Sequence, residues 1–83
     1  QEKTAPLAVY PNPATDFITI ETQKISATNK SVILIYSMDG KLMLQETLVQ
    51  VKKVLDISSL KKGIYILQVT GADRTEHIKF IKD

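Results

Sequence analysis

His77 is the only histidine of the chain, so any acid–base, metal or nucleophilic chemistry would have to be built around it and a scatter of hydroxyls and carboxylates. A catalytic site needs a base beside a nucleophile, or ligands that converge on a metal. One histidine excludes a multi-histidine metal centre, and the absence of cysteine removes thiolate nucleophiles, disulfides and cysteine metal sites. His77 falls on the polar phase of the last apolar–polar alternation, where a solvated imidazole is the simpler reading. Ser58 and Ser59 lie close to Asp56, but serines that open a turn bond the local backbone. Asp16, Glu21, Asp39, Glu46, Asp56, Asp73, Glu76 and Asp83 stand at strand ends and turns. Aspartate favours such positions for backbone reasons, and no Asp-x-Asp spacing marks a calcium loop. Gly63 has no glycine near it, so no phosphate-cradling loop is present. Asn29-Lys30-Ser31 has the form of a glycosylation sequon, a pattern too short to carry weight. No metal, cofactor or catalytic residue is expected, and the chain does not read as an enzyme.

The elements that would position these groups are all short and extended. The most constrained stretch is Val9-Tyr10-Pro11-Asn12-Pro13-Ala14-Thr15-Asp16, where two prolines fix φ and remove two backbone donors. Tyr10 and Asn12 each precede a proline and are driven toward extended geometry. The stretch cannot be a central strand and reads as a rigid elbow that lifts one short strand away and starts the next. Leu7 to Tyr10 is that first strand. Asp16 to Glu21 is the second, with Ile18 and Ile20 on one face and Thr19, Glu21 and Phe17 on the other, where Phe17 is expected to cover an edge of the core.

Gln23 to Lys30 is polar and reads as a loop. Ser31 to Tyr36 is apolar on both faces and β-branched, as suits a strand in the middle of a sheet. Asp39-Gly40 marks a hairpin, because glycine accepts positive φ. Lys41 to Glu46 returns with Leu42 and Leu44 facing one way, and Leu48, Val49 and Val51 continue the trend less regularly. Val54 to Ile57 is the next strand, with Leu55 and Ile57 inward, and Leu60 is expected to plug the core from the following connection. Ile64 to Val69 reads as an interior strand and Gly71 to Arg74 as a turn. Thr75 to Lys82 closes the chain, with Ile78 and Phe80 inward and His77, Lys79 and Ile81 opposite. Seven short strands without a helix predict an all-β fold, a seven-stranded antiparallel immunoglobulin-like β-sandwich, though without the Cys and Trp of antibody domains.

At 83 residues the chain is one domain near the lower limit for a self-sufficient core, and 43% hydrophobic content is ordinary for a globular protein. Gln1 to Pro6 is a polar lead-in, expected to link residues 7–83 to an upstream cargo domain. A first residue other than Met is expected of a piece of a longer precursor, with any export signal lying upstream. The net charge of +2 comes from lysines spread over most of the length. A nucleic-acid binder would show a basic stripe interleaved with aromatics, and three Tyr and two Phe in mostly apolar contexts do not supply one.

Three landmarks stand in order: Tyr10-Pro11-Asn12-Pro13-Ala14-Thr15-Asp16, Ile35-Tyr36-Ser37-Met38-Asp39-Gly40-Lys41 and Leu60-Lys61-Lys62-Gly63-Ile64-Tyr65. A lysine-punctuated apolar strand, Ile78-Lys79-Phe80-Ile81-Lys82, ends the series. Each motif alone is an ordinary turn or strand; their order and their ending are specific. From Leu7 to Lys82 the chain resembles the type A C-terminal sorting domain of the type IX secretion system of Bacteroidetes. The resemblance implies a seven-stranded immunoglobulin-like fold and a non-catalytic role. It implies that a fused N-terminal cargo is directed from the periplasm through an outer-membrane translocon, by way of translocon or shuttle proteins. It further implies that a sortase-like cysteine peptidase removes the domain and joins the cargo to an anionic lipopolysaccharide at the cell surface. The family's positions carry over to Pro11, Asn12 and Pro13, to Gly63 and Tyr65, and to Lys79 and Lys82. Lys61 departs from the pattern, since many members have proline after the leucine.

A sorting signal must be read by a protein, and an exposed terminal strand offers its edge for β-augmentation. The same edge could pair two copies into a homodimer. Lys79 and Lys82 read either as signal residues or as a solvated face, and Gly63 and Tyr65 as residues that hold the fold. The competing reading is a fibronectin type III-like binding or spacer module of an extracellular enzyme or adhesin. That reading calls for an exposed aromatic platform, whereas Tyr10, Tyr36 and Tyr65 fall in or beside core runs.

Overall fold

A computed structural model describes residues 7–22, 31–71 and 75–83. The lead-in over 1–6, the loop over 23–30 with Asn29 and Lys30 of the sequon, and most of the turn over 71–74 lie outside the described residues. The strands are β1 (Ala8–Tyr10), β2 (Phe17–Glu21), β3 (Ser31–Ser37), β4 (Leu42–Leu48), β5 (Lys52–Asp56), β6 (Gly63–Thr70) and β7 (Thr75–Lys82). They form two sheets, a three-stranded one in the order β1-β2-β5 and a four-stranded one in the order β4-β3-β6-β7, with antiparallel pairing throughout. The expected all-β sandwich is therefore what the chain forms.

Period-2 patterning explains which faces meet. Ile18 and Ile20 of β2, Leu55 of β5, Ile33 and Ile35 of β3 and Leu67 of β6 are buried between the sheets, each contributing about 1.5–3 kcal/mol by leaving water. β3 and β6, apolar on both faces, take the two interior places in the larger sheet. Ile57 lies just past β5, fully buried, its N–H donating to the Asp16 carbonyl at 2.8 Å. Leu60 is buried as a plug, and its N–H closes a turn onto the Ile57 carbonyl at 3.0 Å. The turn before it is held by Asp56, whose Oδ1 accepts from the Ser58 N–H at 2.9 Å and the Ser58 hydroxyl at 2.7 Å. Those bonds, the hydroxyl's first, hold the Asp56 carboxyl below the ordinary aspartate range. Ser58 and Asp56 are thus turn chemistry.

Three expectations change. A bulge between Ile35 and Tyr36 sets Leu44 opposite Ile35 but Leu42 opposite Tyr36, so the two leucines face opposite ways: Leu44 packs on the core and Leu42 is exposed. Phe17 covers no core edge and stands exposed on the outer face of the smaller sheet. Of the three tyrosines only Tyr65 is buried; Tyr10 is exposed and donates its hydroxyl to Glu21 Oε1 at 2.6 Å. That bond to a carboxylate raises the Tyr10 pKa.

The elbow also does more than separate two strands. β1 pairs with β2 in the smaller sheet, whereas Ala14, four residues past Tyr10, makes a parallel bridge with Lys82 of the larger sheet. Residues 11–14 therefore carry the chain from one sheet to the edge of the other, a strand that turns a corner of the sandwich. Both Tyr10–Pro11 and Asn12–Pro13 peptide bonds are cis.

Candidate functional site

Two of the three sequence landmarks, the Pro-Asn-Pro elbow and the Gly63 turn, meet at the last strand, whereas the Asp39-Gly40 hairpin lies at the far side of the sheet. β7 is paired with β6 on one side, from Gly63↔Lys82 to Thr70↔Thr75. Its other side would be an open row of peptide groups, and residues 11–14 close half of it. Asn12 Oδ1 accepts from the Ile81 N–H at 2.9 Å, and Asn12 Nδ2 lies 3.5 Å from the Lys79 carbonyl. Two residues later the Ala14 N–H donates to the Ile81 carbonyl at 2.7 Å, and the Ala14 carbonyl accepts from the Asp83 N–H at 2.6 Å.

This arrangement follows from residue chemistry. Proline on either side of Asn12 leaves no backbone N–H at 11 or 13 to complete a ladder. The asparagine amide carries an acceptor and donors on one short side chain, so it substitutes for the missing strand. Ala14 is fully buried; its single methyl lets the backbone come within ladder distance of β7. Pro11-Asn12-Pro13-Ala14 is a clamp on the terminal strand.

On the opposite side of β7 the third landmark, Leu60 to Tyr65, is equally close. Gly63 lies across from Lys82 and has φ of +154°, a conformation that L side chains rarely adopt. A Cβ there would meet no atom closer than 4.0 Å, so the constraint is backbone strain and not space. Gly63→Ala is expected to cost about 1–3 kcal/mol, seen as a lowered thermal midpoint with unchanged strand content by circular dichroism; an unchanged midpoint would contradict it. Tyr65 reaches back so that its hydroxyl donates to the Lys61 carbonyl at 2.6 Å, closing the turn that leads into β6. Its ring stacks on Phe80 with centroids 5.7 Å apart, and the two are cross-strand partners.

Pro11, Asn12, Pro13, Gly63, Tyr65, Lys79 and Lys82 thus surround the C-terminal half of β7. The two lysines differ. Lys79 is exposed on the outer face. Lys82 shares the Phe80 face and is only 9% exposed, with Nζ 3.4 Å from the Asp83 carbonyl. Of the two readings open for these lysines, a solvated face fits Lys79 and not Lys82, because the long stem of Lys82 is covered while its head reaches a carbonyl. Ala14 and Phe80 were not singled out by motif reasoning. Alanine carries no polar signal, and Phe80 is one apolar residue in an alternating strand.

The edge available for pairing is shorter than the whole strand. From Lys79 to Asp83 it is covered by the clamp, which removes that half from any edge-to-edge homodimer. Toward Thr75 no backbone bond outside the β6 ladder reaches Thr75 or His77 among the described residues. There an open groove of about 430 Å³ is lined by Leu7, Thr75, Glu76, His77 and Ile78. Among the described residues no three His, Asp or Glu side chains group closely enough to hold a metal ion.

Comparison with known proteins places this geometry. Residues 8–83 match the family described as secretion system C-terminal sorting domain. Over 71 residues the chain is 41% identical to beta-agarase D of Zobellia galactanivorans, a match that covers 86% of this chain and 13% of the agarase. The fold is shared with a structure of PorZ, an essential bacterial surface component of the type-IX secretion system of Porphyromonas gingivalis. There the TM-score is 0.73 at 20% identity, over 93% of this chain and 11% of that one. The chain spans a small fraction of the length of both. With its β-sandwich fold and a family match across nearly its whole length, the chain belongs to the secretion system C-terminal sorting domain family, the sorting signals of type IX secretion.

Proposed function

We propose that this domain is a non-catalytic export signal that delivers a fused N-terminal cargo through the outer-membrane translocon of the type IX system. In this reading a sortase-like cysteine peptidase then removes the domain, in the region leading into Leu7, and the cargo is attached to the cell surface. The observation that carries the proposal is that the Pro-Asn-Pro elbow and the Gly63–Tyr65 segment both meet the C-terminal half of β7, where Lys79 and Lys82 lie. A strand fixed on both sides presents its outward side chains in one register, as a partner that reads side chains requires. Gly63 and Tyr65 act by holding this strand, and so do Pro11, Asn12 and Pro13. Lys79 is the residue of the motif set whose charge a partner can reach. Shuttle or translocon proteins engage what the clamp leaves open: the outer face of the strand, and its first half beside Leu7.

The test is a reporter enzyme joined to the N-terminus of this chain and expressed with its periplasmic leader in a type IX host. The reporter should appear at the surface or in the medium, while a fusion ending before Thr75 leaves it active in the periplasm. Surface delivery of the truncated fusion would overturn the reading.

A further inference from the structure

The outer face of the four-stranded sheet is divided into two unlike ends. Because cross-strand partners share a face, the register gives its composition row by row. At one end Val32 lies beside Thr47 and Thr70, with Thr75 next, and Leu34 beside Gln45 and Gln68, with His77 next. At the other end the rows are Leu42–Tyr36–Ile66–Lys79 and then Ile64–Ile81. An antiparallel sheet with one solvated face is expected to be polar along that face, and the first end obeys this more nearly. At the second, Leu42, Ile64 and Ile81 are 46, 44 and 42% exposed, and Tyr36 and Ile66 sit half-buried between them.

The charges around this apolar end are of one sign within the strands. Lys79 is in the row itself, and Lys41 and Lys62 immediately precede Leu42 and Gly63 where β4 and β6 begin. No outward strand position of the sheet carries a carboxylate. The acids at this end lie outside the strands: Asp39 accepts the Ser37 hydroxyl in the β3–β4 turn, and Asp83 follows β7.

We propose that Tyr36, Leu42, Ile64, Ile66 and Ile81, with Lys79 at their edge, form a docking surface for a protein partner whose contact is apolar at its centre and bears carboxylates at its rim. The inference rests on the sorting reading above and names the surface through which the domain is read. An exposed apolar patch on a small domain marks an interaction site, and complementary charge at its rim selects the partner and speeds encounter. A second copy of the chain fits poorly, since a two-fold contact would set Lys79 and its flanking lysines against themselves. A lipid surface fits poorly as well, because electrostatic attachment to anionic membranes takes clusters of about 4–8 basic residues, whereas the outward rows here hold Lys79 alone, with Lys41 and Lys62 at their margin and Asp39 and Asp83 at the same end. The clamp bonds the outer edge of the same strand, so Asn12 and Ala14 hold Lys79 and Ile81 in place on this face.

The experiment compares Ile64→Thr/Ile81→Thr and Lys79→Glu with the unaltered chain and with Gln45→Glu at the polar end, all fused to the reporter. Threonine keeps strand propensity at exposed sheet positions, so the thermal midpoints of the variants should stay within a few degrees of the parent. Export of the reporter should fall about tenfold or more in the double threonine variant and in Lys79→Glu, with Gln45→Glu at the parental level. Parental export of both patch variants, with export still lost when the whole domain is deleted, would overturn this surface and leave the sorting role standing. Undiminished export after deletion of the whole domain would overturn both. Two binding results would also overturn the proposal: flotation of the purified chain with phosphatidylcholine–phosphatidylglycerol vesicles that Lys79→Glu abolishes, or a dimer in sedimentation that Ile64→Thr/Ile81→Thr dissolves.

Discussion

Phe80→Ala is expected to remove about 3–5 kcal/mol of stability, the range for deleting a large buried aromatic. Phe80 is fully buried on β7 and stacks on Tyr65 of β6, so the loss combines a cavity with a broken aromatic pair worth about 0.5–1.5 kcal/mol. A domain of this length has about 4–12 kcal/mol in total, and the variant should be partly unfolded under conditions where the parent is native. Thermal unfolding checks it: a midpoint lower by about 12 °C or more is expected. Phe80→Leu, which fills most of the volume, should recover much of the loss. A midpoint within about 3 °C of the parent for Phe80→Ala would show that the core does not depend on the terminal strand. The consequence for function is direct, since a chain that loses β7 loses the scaffold on which Lys79 and Ile81 are displayed.

Asn12→Ala/Ala14→Leu has the next largest expected effect. Removing the asparagine amide leaves the Ile81 N–H without its partner, a loss of about 1 kcal/mol at an exposed site. Leucine at a fully buried alanine overpacks the contact between residues 11–14 and β7, adding about 1–3 kcal/mol. The two changes act on one contact and are not expected to add strictly. The prediction is a cooperative transition at lower temperature, with β7 still paired to β6 but free along its other edge.

Much of the fold was legible because strand rules are local. Alternation located the buried faces of β2, β5 and β7, and the apolar runs over Ser31 to Tyr36 and Ile64 to Val69 announced interior strands. Asp39-Gly40 located the hairpin, where Gly40 has φ of +90° and its N–H donates to the Ser37 carbonyl at 2.9 Å. The bulge at Ile35/Tyr36 escaped notice because periodicity assumes that no residue is skipped. The clamp escaped for a different reason: Asn12 and Ile81 are 69 residues apart, and nothing in a Pro-Asn-Pro elbow states which distant edge it will meet. Family-matched positions could be recognised one by one, but their convergence on β7 belongs to topology. The covering of Lys82 was not legible because burial of an aliphatic stem leaves no trace in a polarity pattern.

The central claim is that the N-terminal proline motif works by holding the last strand. Amide hydrogen exchange at Ile81 and Asp83, compared between the parent and Asn12→Ala/Ala14→Leu, tests it most directly. The account predicts that both amides lose their protection by about tenfold or more beyond any change at Leu67 in the core, since their acceptors lie on residues 12 and 14. Exchange at Ile81 and Asp83 that merely follows Leu67 would contradict it, because β7 would then be held by β6 alone.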